Sequence, residues 1–206
     1  MDGKDRKKVL FIDRDGVIVN ETQVDSFEKI VYIPHVFEAM REISRRSDYL
    51  LVMVSNQDGV GTPLFPYEDY IGPAERIFDT LRGEGIIFDD IHIDFSLPEE
   101  NSPMRKPGTG MIDSYRSDEY DMSKSFVIGD RITDMMLARN MGCRGFLLNG
   151  PEVEVPDDLA STIVMHTSDW LDIASYLIDD KSLAHRKALV SRKTLETEID
   201  ISIDID

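Results

Sequence analysis

In 206 residues the sequence has one cysteine, Cys143, one tryptophan and four histidines. A single thiol excludes an intramolecular disulfide, and no second cysteine exists to build a zinc-thiolate cluster. His35, His92, His166 and His185 are scattered without metal-ligand spacing, so structural or surface roles are expected for all four. Cys143 reads as a small buried hydrophobe. Long apolar runs are also missing: the charged opening, residues 1–8, leads into only four apolar residues, which suits neither a signal peptide nor a membrane span. Positive charge is scarce, with 23 Lys and Arg against 40 Asp and Glu, for a net charge of −17 and a pI near 4.5. Such a chain is repelled by nucleic acids and by anionic membranes, because neither finds the basic surface that counterion release rewards. A soluble protein in a reducing, cytoplasmic setting is expected.

What is present is ordinary globular material, 41% hydrophobic with 8% aromatics. Short apolar runs at Val9-Leu10-Phe11-Ile12, 50–54, 91–95, 125–128 and 145–148 read as buried strands. Between them lie helical patterns. Val36, Phe37, Met40 and Ile43 share a face behind Pro34, and further helices are expected at 73–82, 134–141 and, behind a Ser168 cap, 168–178, with a weaker one at 110–116. Residues 63–72 have no period and read as a long lid-like loop. Strands alternating with helices predict an α/β fold, a Rossmann-like three-layer α/β/α sandwich on a mostly parallel sheet. The tail differs: 179–191 reads as a charged linker, and Ile199, Ile201, Ile203 and Ile205 alternate with polar residues as in a half-buried strand with nothing after it to pair with.

Three strands end in chemically able residues, and ligands of open parallel sheets bind beyond the carboxyl ends of the strands. Asp13 and Asp15, two apart on extended backbone, point to one side, and Asp130 ends another strand. Carboxylates so placed suit a hard cation. Ser55 and Asn56 offer a hydroxyl and an amide, and Lys106 a point charge. That inventory suits phosphoryl transfer, in which one Asp attacks phosphorus and the other moves the proton.

In order, Asp13-Arg14-Asp15-Gly16, Ser55-Asn56-Gln57, Arg105-Lys106-Pro107 and Gly129-Asp130-Arg131 through Asp134 resemble the four motifs of the haloacid dehalogenase superfamily of phosphatases. Gln23-Val24-Asp25, the run from Asn56 to Thr62, Phe65-Pro66 and Gly72-Pro73 are similar to the histidinol-phosphatase domains fused to imidazoleglycerol-phosphate dehydratases, and the run from Arg192 to Ile199 resembles the opening of such a dehydratase. The resemblance implies a phosphatase domain at 1–178, a linker at 179–191 and the start of a second, dehydratase-like domain at 192–206. It implies a Mg2+-dependent hydrolysis of L-histidinol phosphate, a small phosphate ester, through an aspartyl-phosphate. Asp13 would be the nucleophile and Asp15 the general acid and base. Asp13, Asp15 (through its main-chain carbonyl) and Asp130 would hold Mg2+, while Lys106, Ser55, Asn56 and Arg105 would bind the phosphoryl group. Asp134 would be an additional acidic residue.

The family often carries a large cap domain, for which neither gap here is long enough, so a capless enzyme is expected. Relatives commonly hold a structural zinc before the Arg-Lys-Pro motif, but here 95–104 contains neither Cys nor His, so no structural zinc is expected. The loop must be held by packing and by Pro98, Pro103 and Pro107. Glu21, Gln23 and Asp25 are candidates to meet the substrate's cationic amine. Rival readings are a heptose bisphosphate-type sugar phosphatase with the same motifs and a non-catalytic appendage of a dehydratase.

Overall fold

Val9, Leu10, Phe11 and Ile12 are all fully buried, the signature of a strand covered on both faces, and they form the centre of β1 (Lys8–Ile12). The computed structural model describes residues 6–150, 152–179, 187–193 and 198–204, the last two segments as backbone. In chain order β1 is followed by α1 (Val36–Arg46), β2 (Tyr49–Asn56), α2 (Tyr67–Gly83), β3 (Asp90–Asp94), β4 (Phe126–Gly129), α3 (Ile132–Met141), β5 (Arg144–Leu148), β6 (Ile163–Thr167) and α4 (Trp170–Ile178). The six strands make one parallel sheet in the order β3-β2-β1-β4-β5-β6. Successive strands run outward from β1 to one edge and then, from β4, to the other. The reversal of direction falls between β1 and β4, where such sheets open a crevice.

Side chains alternate across β1 and so divide the core in two. Leu10 and Ile12 join α1, α4 and the buried side of α2 through Met40, Ile43, Ile77 and Trp170. Val9 and Phe11 face α3 and the 3-10 segment Gly110–Arg116 through Met135, Leu137, Ile112 and Tyr115. This is the expected three-layer sandwich, and among the described residues no cap domain covers the sheet's carboxyl edge. No described helix is long and apolar enough to cross a membrane.

Several boundaries differ from the sequence reading. Helix α2 begins at Tyr67, not residue 73, and carries Pro73 inside it. A helix-interior proline costs about 3 kcal/mol. Burial of Tyr70, Ala74, Ile77 and Leu81, with Tyr70 set edge-on to Phe65 and Phe95, offsets it. Asp169, not Ser168, caps α4, its carboxylate accepting from the Leu171 amide at 2.9 Å. The sixth strand, β6, lies at an edge with its residues only half-buried, so its apolar period is weak. Cys143 is buried as expected, and burial pushes its thiol up to about 12.

A separate antiparallel pair joins β7 (Lys187–Lys193) to β8 (Glu198–Asp204), with Val190 opposite Ile201. The alternating tail is thus a strand that pairs backward in the chain, and β7 occupies part of the segment read as a linker. His185 and residues 194–197 of the tail motif lie outside the described residues.

Trp170 is fully buried and its indole Nε1 donates to the Val17 carbonyl at 2.8 Å, fastening α4 to the turn that follows β1. Trp170→Ala is expected to cost about 3–5 kcal/mol by leaving a cavity. Trp170→Phe is expected to cost about 1–3 kcal/mol by leaving that carbonyl unpaired. Denaturant unfolding followed by circular dichroism measures both, and identical midpoints for Trp170→Phe and wild type would show that the indole bond contributes nothing.

Candidate active site

The chain leaves β1 through a tight turn in which the Asp13 amide donates to Ile128 O at 3.0 Å and the Gly16 amide to Val19 O at 2.7 Å. Gly16 has φ +72°, and a Cβ there would lie 2.1 Å from Asp130 Oδ2. Glycine is required on both counts. The turn brings Asp13 against Asp130 at the end of β4. Gly129 makes the matching close approach, since a Cβ on it would sit 2.2 Å from Asp134 Cβ.

Asp13, Asp130 and Asp134 are buried, and each places a carboxylate oxygen within 4.8 Å of the others. Lys106, 5% exposed, sets its ammonium between two of them, with Nζ 2.6 Å from Asp13 Oδ2 and 2.8 Å from Asp134 Oδ1. Burial alone pulls the lysine toward the neutral form, but Asp13 and Asp134 outweigh it and raise its pKa above the usual value. Asp130 has no such partner. Its Oδ1 is buried without a hydrogen bond, and desolvation, helped by the charges of Asp13 and Asp134, pushes its pKa up to about 8. One ammonium faces three carboxylates, so the set is short of positive charge, and a hard cation bound through oxygens fits it.

Asp15 is directed elsewhere. Its Oδ1 accepts from Arg14 Nε at 2.9 Å, and its Oδ2 from Arg14 Nη2 at 3.1 Å and Gln57 Nε2 at 2.6 Å. Arg14 is 1% exposed and its guanidinium lies over the Tyr70 ring at 5.5 Å. Desolvation raises the Asp15 pKa even against the pull of Arg14, which favours a proton-carrying role. Gln57 is the hub here, for it also donates to Ser55 Oγ at 2.8 Å and accepts from Arg14 Nη2 at 2.5 Å.

The phosphate candidates part company. Lys106 is at the centre, while Asn56 spends its amide on Lys106's main chain: Oδ1 accepts from the Lys106 amide at 3.0 Å and Nδ2 donates to the Lys106 carbonyl at 3.2 Å. Asn56 therefore aims the lysine. Ser55 Oγ is fully buried beneath Gln57. Arg105 pairs with both oxygens of Asp58, with Nη2 to Oδ2 at 2.9 Å, and does not line the cleft above them.

An open cleft above these residues is lined by Asp15, Glu21, Gln23, Asn56, Phe65 and Arg131, among others. Glu21 and Gln23 thus reach the cleft, Glu21 as the partner of Arg131, whose Nε donates to it at 2.7 Å. Asp25 is not brought to it, because its carboxylate turns to Lys29 Nζ at 2.8 Å and to Gln23 at 3.1 Å. The bond from Lys29 holds the Asp25 carboxyl below its usual range.

Sequence reasoning undervalued Gln57, Arg14 and Asp134. The signal for Asp134 was its place in the first turn of α3, four residues beyond Asp130, and its Oδ2 accepts from the Arg131 amide at 3.1 Å. Nothing in the spacing of Arg14 and Gln57 predicts their meeting across two strands.

The family model described as HAD-hydrolase-like matches residues 103–167, the stretch that carries Lys106, Asp130 and Asp134. That stretch is thus similar to haloacid dehalogenase-like hydrolases. Its sequence is 44% identical over 98% of the chain to the histidine biosynthesis bifunctional protein HisB of Bacteroides fragilis, covering 54% of that protein. It is 42% identical over 97% of the chain to the protein of the same name from Spirosoma linguale, covering 55% of it. The chain thus spans about half the length of these relatives. The fold is shared with the D,D-heptose 1,7-bisphosphate phosphatase of B. bronchiseptica, solved with magnesium and phosphate, at a TM-score of 0.71 and 23% identity over 84% of this chain and 99% of that one.

Two substitutions probe this carboxylate cluster by cation binding alone. Asp130→Asn removes a carboxyl that must take up a proton to be buried without a cation, and is expected to stabilise the cation-free protein by about 1–3 kcal/mol near pH 7 while abolishing the rise in melting temperature on adding Mg2+. Gly16→Ala leaves every charge in place and is expected to abolish the same rise. A full Mg2+-dependent shift in either variant would place the cation elsewhere.

Proposed function

We propose that this domain is a Mg2+-dependent phosphomonoesterase acting on L-histidinol phosphate. The observation that carries the reading is the Lys106 ammonium held between Asp13 and Asp134, beside the unpartnered Asp130 carboxylate, at the switch point of the sheet. Asp13, Asp130 and the Asp15 main-chain carbonyl would hold Mg2+, which when bound offsets negative charge on the phosphoryl oxygens.

Asp13 attacks phosphorus through a carboxylate oxygen, forming an acyl phosphate as the ester P–O bond breaks. The leaving alkoxide takes its proton from Asp15, whose pKa desolvation raises. Asp15 then accepts a proton from water, whose oxygen attacks phosphorus. The bond to Asp13 breaks, restoring the carboxylate and releasing inorganic phosphate. Lys106 and main-chain amides face the transferring group throughout. Arg14 and Gln57 hold Asp15 in register.

The substrate is proposed from the names of the relatives and from the charge of the cleft. Asp15, Glu21 and Asp58 line it against one arginine, Arg131, which is itself paired with Glu21, and this suits a small ester with a cationic end. The chain's coverage of about half of its relatives supports reading 1–178 as the phosphatase domain, and 192–206 as the opening of a dehydratase-like domain reached through 179–191.

Phosphate release from L-histidinol phosphate is expected with Mg2+ and not with chelator. Asp13→Asn is expected to abolish it, and Asp15→Asn to lower kcat by about 10²–10⁴-fold. A larger kcat/KM for heptose bisphosphate would reassign the substrate, and equal inactivity of wild type and Asp13→Asn toward several phosphate esters would leave the domain a non-catalytic appendage.

A further inference from the structure

Asp94 takes no part in the chemistry above, yet it is 8% exposed at the end of β3, in register with Asn56 of β2. The segment that follows, 95–105, delivers Lys106 to the centre and has little core to hold it: Phe95 is 38% and Met104 47% exposed. Prolines 98, 103 and 107 restrict the local backbone, and the carbonyls of Pro103 and Pro107 accept from the Gly110 amide at 3.0 Å and from Asn140 Nδ2 at 2.9 Å, which ties only the end of the segment near Lys106. What joins its two ends to each other is the Asp94 carboxylate. Oδ2 accepts from the Ser96 amide at 3.2 Å and from Ser96 Oγ by a short bond, and Oδ1 lies 3.5 Å from Ser102 Oγ near the far end of the segment.

The hydrogen bonds continue from these two serines to Lys106. Ser102 Oγ accepts from the Met104 amide at 3.2 Å and Ser102 O from the Arg105 amide at 3.2 Å. Arg105 Nη1 reaches back to Ser96 O at 3.0 Å while the guanidinium pairs with Asp58. Asn56 then grips the Lys106 main chain on both sides. The Asp94 carbonyl, accepting from the Gln57 amide at 2.7 Å, ties the same point to the exit of β2. This nearly buried carboxylate, which forms no ion pair with a described lysine or arginine, is held by these donors, and its position is in turn fixed by the sheet.

We propose that Asp94 is a positioning residue for Lys106, a hydrogen-bonded staple that closes both ends of the 95–105 segment onto the end of β3 and needs no metal to do so. The staple stands on geometry alone; its bearing on phosphate binding rests on the phosphatase reading.

The test compares wild type with Asp94→Ala and with the double variant Ser96→Ala/Ser102→Ala on the full chain. Amide hydrogen exchange across 96–106 is expected to quicken about tenfold or more in each while β1 and β4 keep their protection. With Mg2+ present, the dissociation constant of inorganic phosphate, read by calorimetry, is expected to weaken about fivefold or more, and the KM for the ester to rise with it. Partial unfolding would instead lower kcat and leave the phosphate constant alone. If Asp94→Ala does not fold, the serine pair decides. Unchanged exchange in 96–106 overturns the staple, and faster exchange with unchanged phosphate affinity overturns its action on Lys106. Wild type that neither binds phosphate nor hydrolyses esters fells the phosphatase reading and the action on Lys106 together, while the exchange data still decide the staple.

Discussion

Crowding of like charge at the switch between β1 and β4 is the constraint from which the rest of the site follows. Three carboxylates cannot share so small a buried volume unless positive charge joins them. Lys106 supplies one such charge from a loop and leaves Asp130 unmatched. The remaining deficit is what makes the site suited to a cation, and a cation beside an ammonium is in turn what makes it suited to an anionic phosphoryl group. The net charge of −17 does not oppose a phosphate substrate, because the field that matters is set within a few ångströms of the reacting group.

Much of the surrounding structure keeps this cluster close. Gly16 and Gly129 let carboxylates lie where a Cβ would stand, and Trp170 pins the turn that carries Asp15 by bonding to Val17. Asn56, on a neighbouring strand, holds the lysine by its main chain and leaves the ammonium free to lie between Asp13 and Asp134. Rim charges are arranged differently. Arg131 with Glu21 and Arg105 with Asp58 are more exposed pairs and contribute little to stability, but each takes its arginine into a fixed partnership. Of the described residues, Lys106 alone sets its ammonium among the buried carboxylates.

Asp13, Asp15, Lys106 and Asp130 were legible before any fold was known, because each stands at or near the end of an apolar run and their order is that of a known superfamily. The strand pattern was legible for β1, β2, β4 and β5, whose residues are buried on both faces. It was not legible for β6, a half-buried edge strand, nor for the first turns of α2, where aromatic packing overrides a proline. Asn56 and Arg105 were read as ligands of phosphate because their side chains can bind it. What they bind here is main chain and carboxylate supplied by segments about fifty residues away.

By itself the sequence determined the alternating α/β architecture, the carboxylates and the lysine, since hydrophobic period and local turn chemistry are properties of neighbours along the chain. Only the tertiary structure decided that Asp134 completes the cluster, that Gln57 and Arg14 hold Asp15, that Asp25 turns away to Lys29 and that Asp94 closes the loop bearing Lys106. Each of these depends on which strand ends lie side by side and on which donor reaches a carboxylate first. Such distances are set by packing across the sheet, and spacing along the chain does not encode them.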